Sequence, residues 1–373
     1  MESAIERTKT PVVRLGYRPG LDGLRAVAIL CVIVSHASLK FNHVGMIGVD
    51  IFFVLSGFLI TTLLLEEWKA FGQVSMRAFY VRRGLRLLPA LLAMLTLTVV
   101  WHALSAPRHV ALRTLSDVFI ALFYCSNWAL ALGFRGPAHV FAHTWTLSIE
   151  EQFYLLWPVL LILLLRKRES LKTASFWLML FVFLLFMEKV FLLATCPLES
   201  RGGLPVQPMP ASTLYSSAAF SLCFVFGGLW ERGTRVRRLS GNLACLLAIP
   251  GLVFARNYSK LPMEIYLCVI HLVIGLCAVV ILTDLIANEE GNLNRFLSQR
   301  WLVYIGKISY GLYLWHLPVF LEIQARHFRP SLEVCLELLL TLSLTLLSFY
   351  VIEQPALRMK ARLGRRHQGA QIL

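Results

Sequence analysis

The 373-residue chain is 57% hydrophobic with only 15% charged residues, which excludes an ordinary soluble domain of this size and marks a polytopic membrane protein. Its net charge of +15 does not point to nucleic acid, because the lysines and arginines cluster in short segments between apolar runs, as in cytoplasmic loops of membrane proteins. The eight cysteines form no C-x-x-C pair and mostly sit inside apolar runs (Cys31, Cys125, Cys223, Cys268, Cys277), which argues against a disulfide frame or a zinc site.

In chain order, residues 1–20 form a basic segment with Arg7, Lys9, Arg14 and Arg18 but no apolar core, so a cleaved signal peptide is not expected. Spans of about 20 apolar residues are then predicted at 21–39, 47–66, 86–105, 149–166, 173–195, 213–230, 241–255, 263–286, 303–325 and 332–353. The apolar stretch 116–134 is interrupted by Ser126, Asn127 and Trp128. If that stretch does not cross, Lys and Arg collect on the side of the N-terminus; if it crosses, the bias disappears. The positive-inside tendency therefore favours about ten transmembrane helices, both termini cytoplasmic, and 116–134 as a re-entrant or interfacial segment. The expected fold is all-α, with a transmembrane domain over 21–355 and a basic cytoplasmic tail over 356–373 suited to anionic membrane lipid.

The polar residues inside these spans are the candidates for chemistry, since ionisable groups in a bilayer are costly and their default reading is functional. Arg25 and His36 lie eleven steps apart on the first span, close to three whole helical turns, hence on one face and roughly 16 Å apart. Asp22, at i−3, is the expected partner of Arg25. Asp50 opens the second span at the level where the first ends, so it can meet His36. A carboxylate that fixes one imidazole nitrogen leaves the other as a general base, although a plain structural His–Asp hydrogen bond uses the same residue types.

Arg82, Arg83 and Arg86 precede the third span at helical spacing and form one cationic face. That face suits phosphates, or equally a topology signal that grips anionic lipid. Glu150 and Glu151 begin the fourth span, where an acid also complements the helix dipole. In the ninth, Ser309, Tyr313 and His316 fall within about one face. Ser35 and Ser56 are hydroxyls near His36, and Glu188 with Lys189 could pair or line a cavity in the fifth span.

Six motifs carry a resemblance. They are Tyr-Arg-Pro-Gly-Leu-Asp-Gly-Leu-Arg-Ala with His36 eleven positions on, Gly-Val-Asp-Ile-Phe-Phe-Val-Leu-Ser-Gly-Phe, Phe-Tyr-Val-Arg-Arg-Gly-Leu-Arg-Leu-Leu-Pro, Thr-Trp-Thr-Leu-Ser-Ile-Glu-Glu-Gln-Phe-Tyr, Ile-Ser-Tyr-Gly-Leu-Tyr-Leu-Trp-His and Tyr-Val-Ile-Glu-Gln-Pro-Ala-Leu-Arg. In order from residue 17 to about 358, they resemble the acyltransferase 3 family, bacterial integral-membrane O-acyltransferases typified by O-antigen and peptidoglycan acetylases.

The resemblance implies transfer of an acyl group, most often acetyl from acetyl-CoA as donor substrate, to a hydroxyl of a saccharide or glycolipid acceptor, in the bacterial cytoplasmic (inner) membrane. No metal and no permanently bound cofactor is implied. The family's basic residue and histidine fall on Arg25 and His36, its acids on Asp50 and Glu150, and its donor-binding arginines on Arg83 and Arg86. The family often continues into an exported hydrolase-like domain, whereas this sequence stops at Leu373. Acceptor handling is then expected of the membrane domain or of another protein. The competing class is a carrier that moves a lipid-linked sugar or small anion without chemistry; no inverted repeat is evident to support it.

Overall fold

The computed structural model describes residues 15–37, 44–131, 140–166 and 263–359. Among these residues every regular element is helical. The elements are α1 (Pro19–His36), α2 (Val44–Phe71), α3 (Met76–Ser105), α4 (Arg108–Leu122), α5 (Ser126–Ala131), α6 (Thr144–Arg166), α7 (Met263–Ala287), α8 (Asn292–Leu297), α9 (Arg300–Lys307), α10 (Ser309–Gln324) and α11 (Pro330–Ser348), which runs through a π-helical turn at Phe349–Glu353. Among the described residues, five stretches are long and apolar enough to cross a membrane: α1, α2, α3, α6 and Pro330–Met359. The spans expected at 173–195, 213–230 and 241–255, with Glu188 and Lys189, lie outside the described residues, as does the tail after Met359.

Helix α1 is the centre of the packing and touches α2, α7, α8, α9 and α10. It starts where Pro19, lacking an N–H, costs nothing, carries Asp22 in its first turn, and ends where the Ala37 N–H reaches the Ile33 carbonyl at 2.9 Å. Glycines allow its close approach to its neighbours. A Cβ on Gly48 of α2 would run into the Ala28 carbonyl, and one on Gly306 of α9 into the Asp22 backbone. Two apolar cores result: one joins α1 and α2 to α7 through Leu24, Phe58 and Leu282, the other joins them to α3, α6 and α10 through Ile29, Phe53, Leu91, Phe153 and Phe320.

Three expected boundaries move. Helix α3 begins ten residues before the predicted span, at Met76 behind the cap Ser75, so the helical spacing of the arginines is continuous with the span. The expected span 303–325 is broken at Ile308 into α9, which exposes Trp301 and Tyr304, and the 16-residue α10. The 116–134 stretch is divided between α4 and α5 by a turn with Tyr124 at positive φ; at about 1.5 Å per residue neither helix reaches 30 Å.

Helices α1, α3 and α10 run one way and α2, α6 and α11 the other. The shared end of the first set is tied by His102 Nε2 to Glu322 Oε1 at 2.8 Å and by Gln324, whose amide donates to the His36 carbonyl at 3.1 Å and to Glu337 at 2.7 Å. These bonds hold the last turn of α1 in place.

If the glycine contacts set the packing, Gly306→Ala lowers the thermal midpoint of the purified protein in detergent by an amount equivalent to about 1–3 kcal/mol, because backbone must move to admit the methyl group. Gly84→Ala, whose Cβ meets nothing closer than a Leu88 methyl at 3.6 Å, leaves the midpoint unchanged or raises it. Equal midpoints for both variants would contradict the packing described here.

Candidate functional site

Between α1, α2, α6 and α10 lies a small cavity of about 40 Å³, lined by Arg25, Phe52, Phe53, Thr146, Glu150, Tyr310 and Tyr313 among others. Each polar group reaches it because an apolar helix turns one polar position inward. Arg25 on α1 brings a guanidinium whose Nε is buried without a hydrogen-bond partner among the described residues. Asp22, the partner expected for it, instead accepts from the Tyr17 hydroxyl at 2.9 Å near the start of α1.

Glu150, in the second turn of α6, organises the opposite wall. It accepts hydrogen bonds from the Ser56 hydroxyl of α2 and from the Tyr154 hydroxyl one turn along α6. Tyr154 in turn carries the Arg83 guanidinium over its ring, 4.5 Å from the ring centre, and Arg86 lies within electrostatic reach of Arg25, Arg83 and Glu150. The cationic face expected of three arginines is therefore divided. Arg82 points away to Glu67 at 3.3 Å, where the same carboxylate accepts from the Ser75 N–H at 2.8 Å, so Arg82 fastens the α2–α3 turn. Arg83 and Arg86, with Arg25, stay at the site.

The far end is built from imidazoles. His36 closes α1 with Nδ1 placed 2.9 Å from the Val32 carbonyl and 3.2 Å from Ser35 Oγ. A carbonyl only accepts, so Nδ1 carries the proton and Nε2 presents the lone pair. The orientation expected from Asp50 is thus supplied by the backbone of the ring's own helix; Asp50 itself is fully buried on α2. His316 on α10 repeats the arrangement, with Nδ1 2.6 Å from the Tyr313 carbonyl and a buried Nε2 that has no partner among the described residues. The rings of His36 and His316 lie 5.1 Å apart, edge to face, and His143 packs against His316 at 5.2 Å. Tyr313 donates to the His143 carbonyl at 2.7 Å and meets the Thr146 hydroxyl, joining this group to the cavity wall.

Two site members escaped the sequence reading. His143 lies just ahead of α6 in the motif that supplied Glu150, and only the fold brings it to His316. Tyr154 had a usable signal: it is i+4 from Glu150, the spacing at which side chains on a helix meet. No group of three or more metal-ligating side chains is present among the described residues.

Comparison with known proteins gives three results. The family model described as an acyltransferase domain, acyltransferase 3, matches residues 18–353. The peptidoglycan O-acetyltransferase OatA of Listeria monocytogenes is 30% identical over 364 residues, and the putative peptidoglycan O-acetyltransferase YrhL of Bacillus subtilis 31% over 367, each match covering 91% of this chain. The O-acetyltransferase OatA of Staphylococcus aureus is 28% identical over 376 residues with the same coverage. The chain spans just over half the length of each of these relatives, 56%, 55% and 57% respectively. No solved structure matches the chain.

The dual role of Tyr154 can be separated by substitution. Tyr154→Phe keeps the ring beneath Arg83 and loses only the hydroxyl, at a cost of about 1 kcal/mol, whereas Tyr154→Ala loses ring and hydroxyl together and costs about 3–5 kcal/mol. Thermal midpoints in detergent test that order, and a Phe variant as unstable as the Ala variant would deny the ring its share.

Proposed function

The chain belongs to the acyltransferase 3 family, and from that membership we propose that it is a membrane O-acyltransferase that moves acetyl from acetyl-CoA to a hydroxyl of a cell-envelope saccharide, working in the bacterial cytoplasmic membrane. Peptidoglycan O-acetylation, the activity in the names of the relatives, supports a saccharide or glycolipid acceptor. The observation that carries the mechanism is the polarity of the site: Arg25 and Glu150 line the cavity with Arg83 and Arg86 close behind them, and Tyr313 in its wall packs against the imidazole group that includes His36.

In this reading the donor enters from the cytoplasmic, arginine-bearing side. Arg83 and Arg86 hold its phosphates by charge-assisted hydrogen bonds, and Arg25 reaches the deeper part of the chain. Glu150, held at Oε1 by Ser56 and Tyr154, acts as the fixed anion that holds these cations in register, so Ser56 serves as a donor to Glu150 rather than as a nucleophile. The thioester extends through the cavity toward His36. There the acceptor hydroxyl gives its proton to His36 Nε2 while its oxygen attacks the thioester carbonyl, and the thiolate leaves with that proton. Asp50 remains part of the proposed site as the buried acid at this end of α2, without the ring-orienting role.

Membranes containing the wild type, supplied with labelled acetyl-CoA, should place label in an alkali-labile ester on envelope glycan. His36→Ala should reduce that label at least 100-fold while the protein still inserts, in line with the usual contribution of a general base. A well-inserted His36→Ala protein with full activity would overturn the role of His36. No label with either protein across several acyl-CoA donors and an acceptor-complete host would favour a carrier without chemistry.

The division among the arginines gives a second test. Arg83→Ala and Arg86→Ala each raise the KM for acetyl-CoA about tenfold, equivalent to about 1.4 kcal/mol. Arg82→Ala leaves it within about threefold while lowering the thermal midpoint, because that side chain is engaged with Glu67. A KM raised equally by all three would restore the single cationic face.

A further inference from the structure

We infer that the His36 end of the bundle carries a docking rim for an anionic glycan, in which Arg326 and Arg329 bind carboxylate or phosphate groups along the acceptor chain and Trp101 offers its ring to a sugar face. The inference rests on the acyltransferase reading above and deepens it by naming the charge of the acceptor.

Four exposed arginines stand at this end, Arg108 and Arg113 on α4 and Arg326 and Arg329 in the turn from α10 to α11. The fold ties these segments together. His102, near the end of α3, has one ring nitrogen 2.6 Å from the Thr114 hydroxyl of α4 and the other 2.8 Å from Glu322 of α10. Arg326, four residues beyond Glu322, holds its guanidinium over the exposed ring of Trp101, 6.0 Å from the ring centre. Between Glu322 and Arg326, Gln324 donates to the His36 carbonyl at 3.1 Å. The rim and the base thus share the end of α10 as their anchor.

The acids of this end are engaged or buried. Glu322 holds His102, Glu337 accepts from Gln324, and Asp50 and Asp117 are buried. Glu333 lies in the first turn of α11, where a carboxylate complements the helix dipole. The exposed rim is left with an excess of positive charge. In the orientation of the proposed function it faces away from the cytoplasm, the side on which short loops are poor in Lys and Arg. A cationic cluster there opposes the topology signal and answers to another requirement. A guanidinium pairs bidentately with carboxylate or phosphate, and an indole face packs on the C–H face of a sugar ring. Anionic lipid headgroups share the charge, but the rim borders His36, where the acceptor hydroxyl has to arrive. A charged glycan accounts for both the arginines and their place.

The test titrates the full chain, in nanodiscs of phosphatidylcholine, with two probes of equal length. One is a hexamer of N-acetylglucosamine; in the other, N-acetylglucosamine alternates with glucuronate. Wild type is expected to bind the glucuronate probe about tenfold more tightly, a preference that shrinks as salt rises from about 0.05 to 0.5 M. Replacing both arginines, Arg326→Gln with Arg329→Gln, removes the preference. The charge-conserving pair Arg326→Lys with Arg329→Lys keeps it within about threefold, and Trp101→Ala weakens both probes alike. The KM for acetyl-CoA stays within about twofold in all of these variants. Equal binding of the two probes by wild type overturns the inference, as does a preference that survives loss of both arginines. Equal probe binding, together with a thermal midpoint that phosphatidylglycerol raises in wild type and not in the Gln pair, identifies a headgroup site instead. A wild type that transfers no label from any donor removes the acyltransferase reading, an outcome separate from the comparison of probes.

Discussion

The site depends on one interaction, the solvation of the Glu150 carboxylate by protein rather than water. A carboxylate within an apolar helix bundle is tolerable only if hydrogen bonds and opposite charge replace its hydration. Ser56 and Tyr154 supply the first; Arg25, Arg83 and Arg86 the second. The relation is reciprocal, since three guanidiniums crowded at one end of a bundle repel one another and need a fixed anion to remain together. Helices α1 and α2 contribute one member each to this set and α3 and α6 two each, so their relative positions and the electrostatics of the cavity are a single property. Tyr154 is the joint between its two halves, hydroxyl on the acid and ring beneath a cation.

At the other end of the site the ring of His36 is oriented by its own helix, while Asp50 is buried nearby on α2. The Val32 carbonyl, one turn back along α1, fixes the tautomer of His36 and accepts the Ser35 hydroxyl at 2.8 Å as well. A histidine in the last turn of a helix is thus positioned by geometry the chain already has. The end of α1 is itself steadied from α10 through Gln324 and Glu337, which links the base to the helix that carries His316.

How much of this was legible in the sequence follows from range of interaction. Helices α1, α2 and α6 appear close to their expected positions, because hydropathy and a proline or polar start mark them locally. The start of α3 was read too late, since a turn bearing Arg77, Arg82 and Arg83 does not look apolar; long cationic side chains can carry a helix past the bilayer core while their heads stay polar. The break at Ile308 had no proline to announce it, and Gly306, two residues before it, is as common inside apolar spans as at their ends. Residue types at the site were legible, and Arg25, His36, Glu150, Tyr313 and His316 do gather around the cavity or its imidazole end. Their pairings were not: Asp22 turned to Tyr17, Arg82 to Glu67, and His36 to Val32. Helical spacing says which side chains share a face, and a partner on another helix is set by rotation and depth that no single segment encodes.

That distinction explains why the imidazole group emerged only in three dimensions. His36, His143 and His316 belong to three segments separated by more than a hundred residues at each step, and each has a plain local explanation as a histidine near a helix end or inside an aromatic run. Their convergence adds what none has alone. His316 stands between the other two rings, 5.1 Å from His36 and 5.2 Å from His143, so the base at the end of α1 is backed by polar rings and not by apolar core alone.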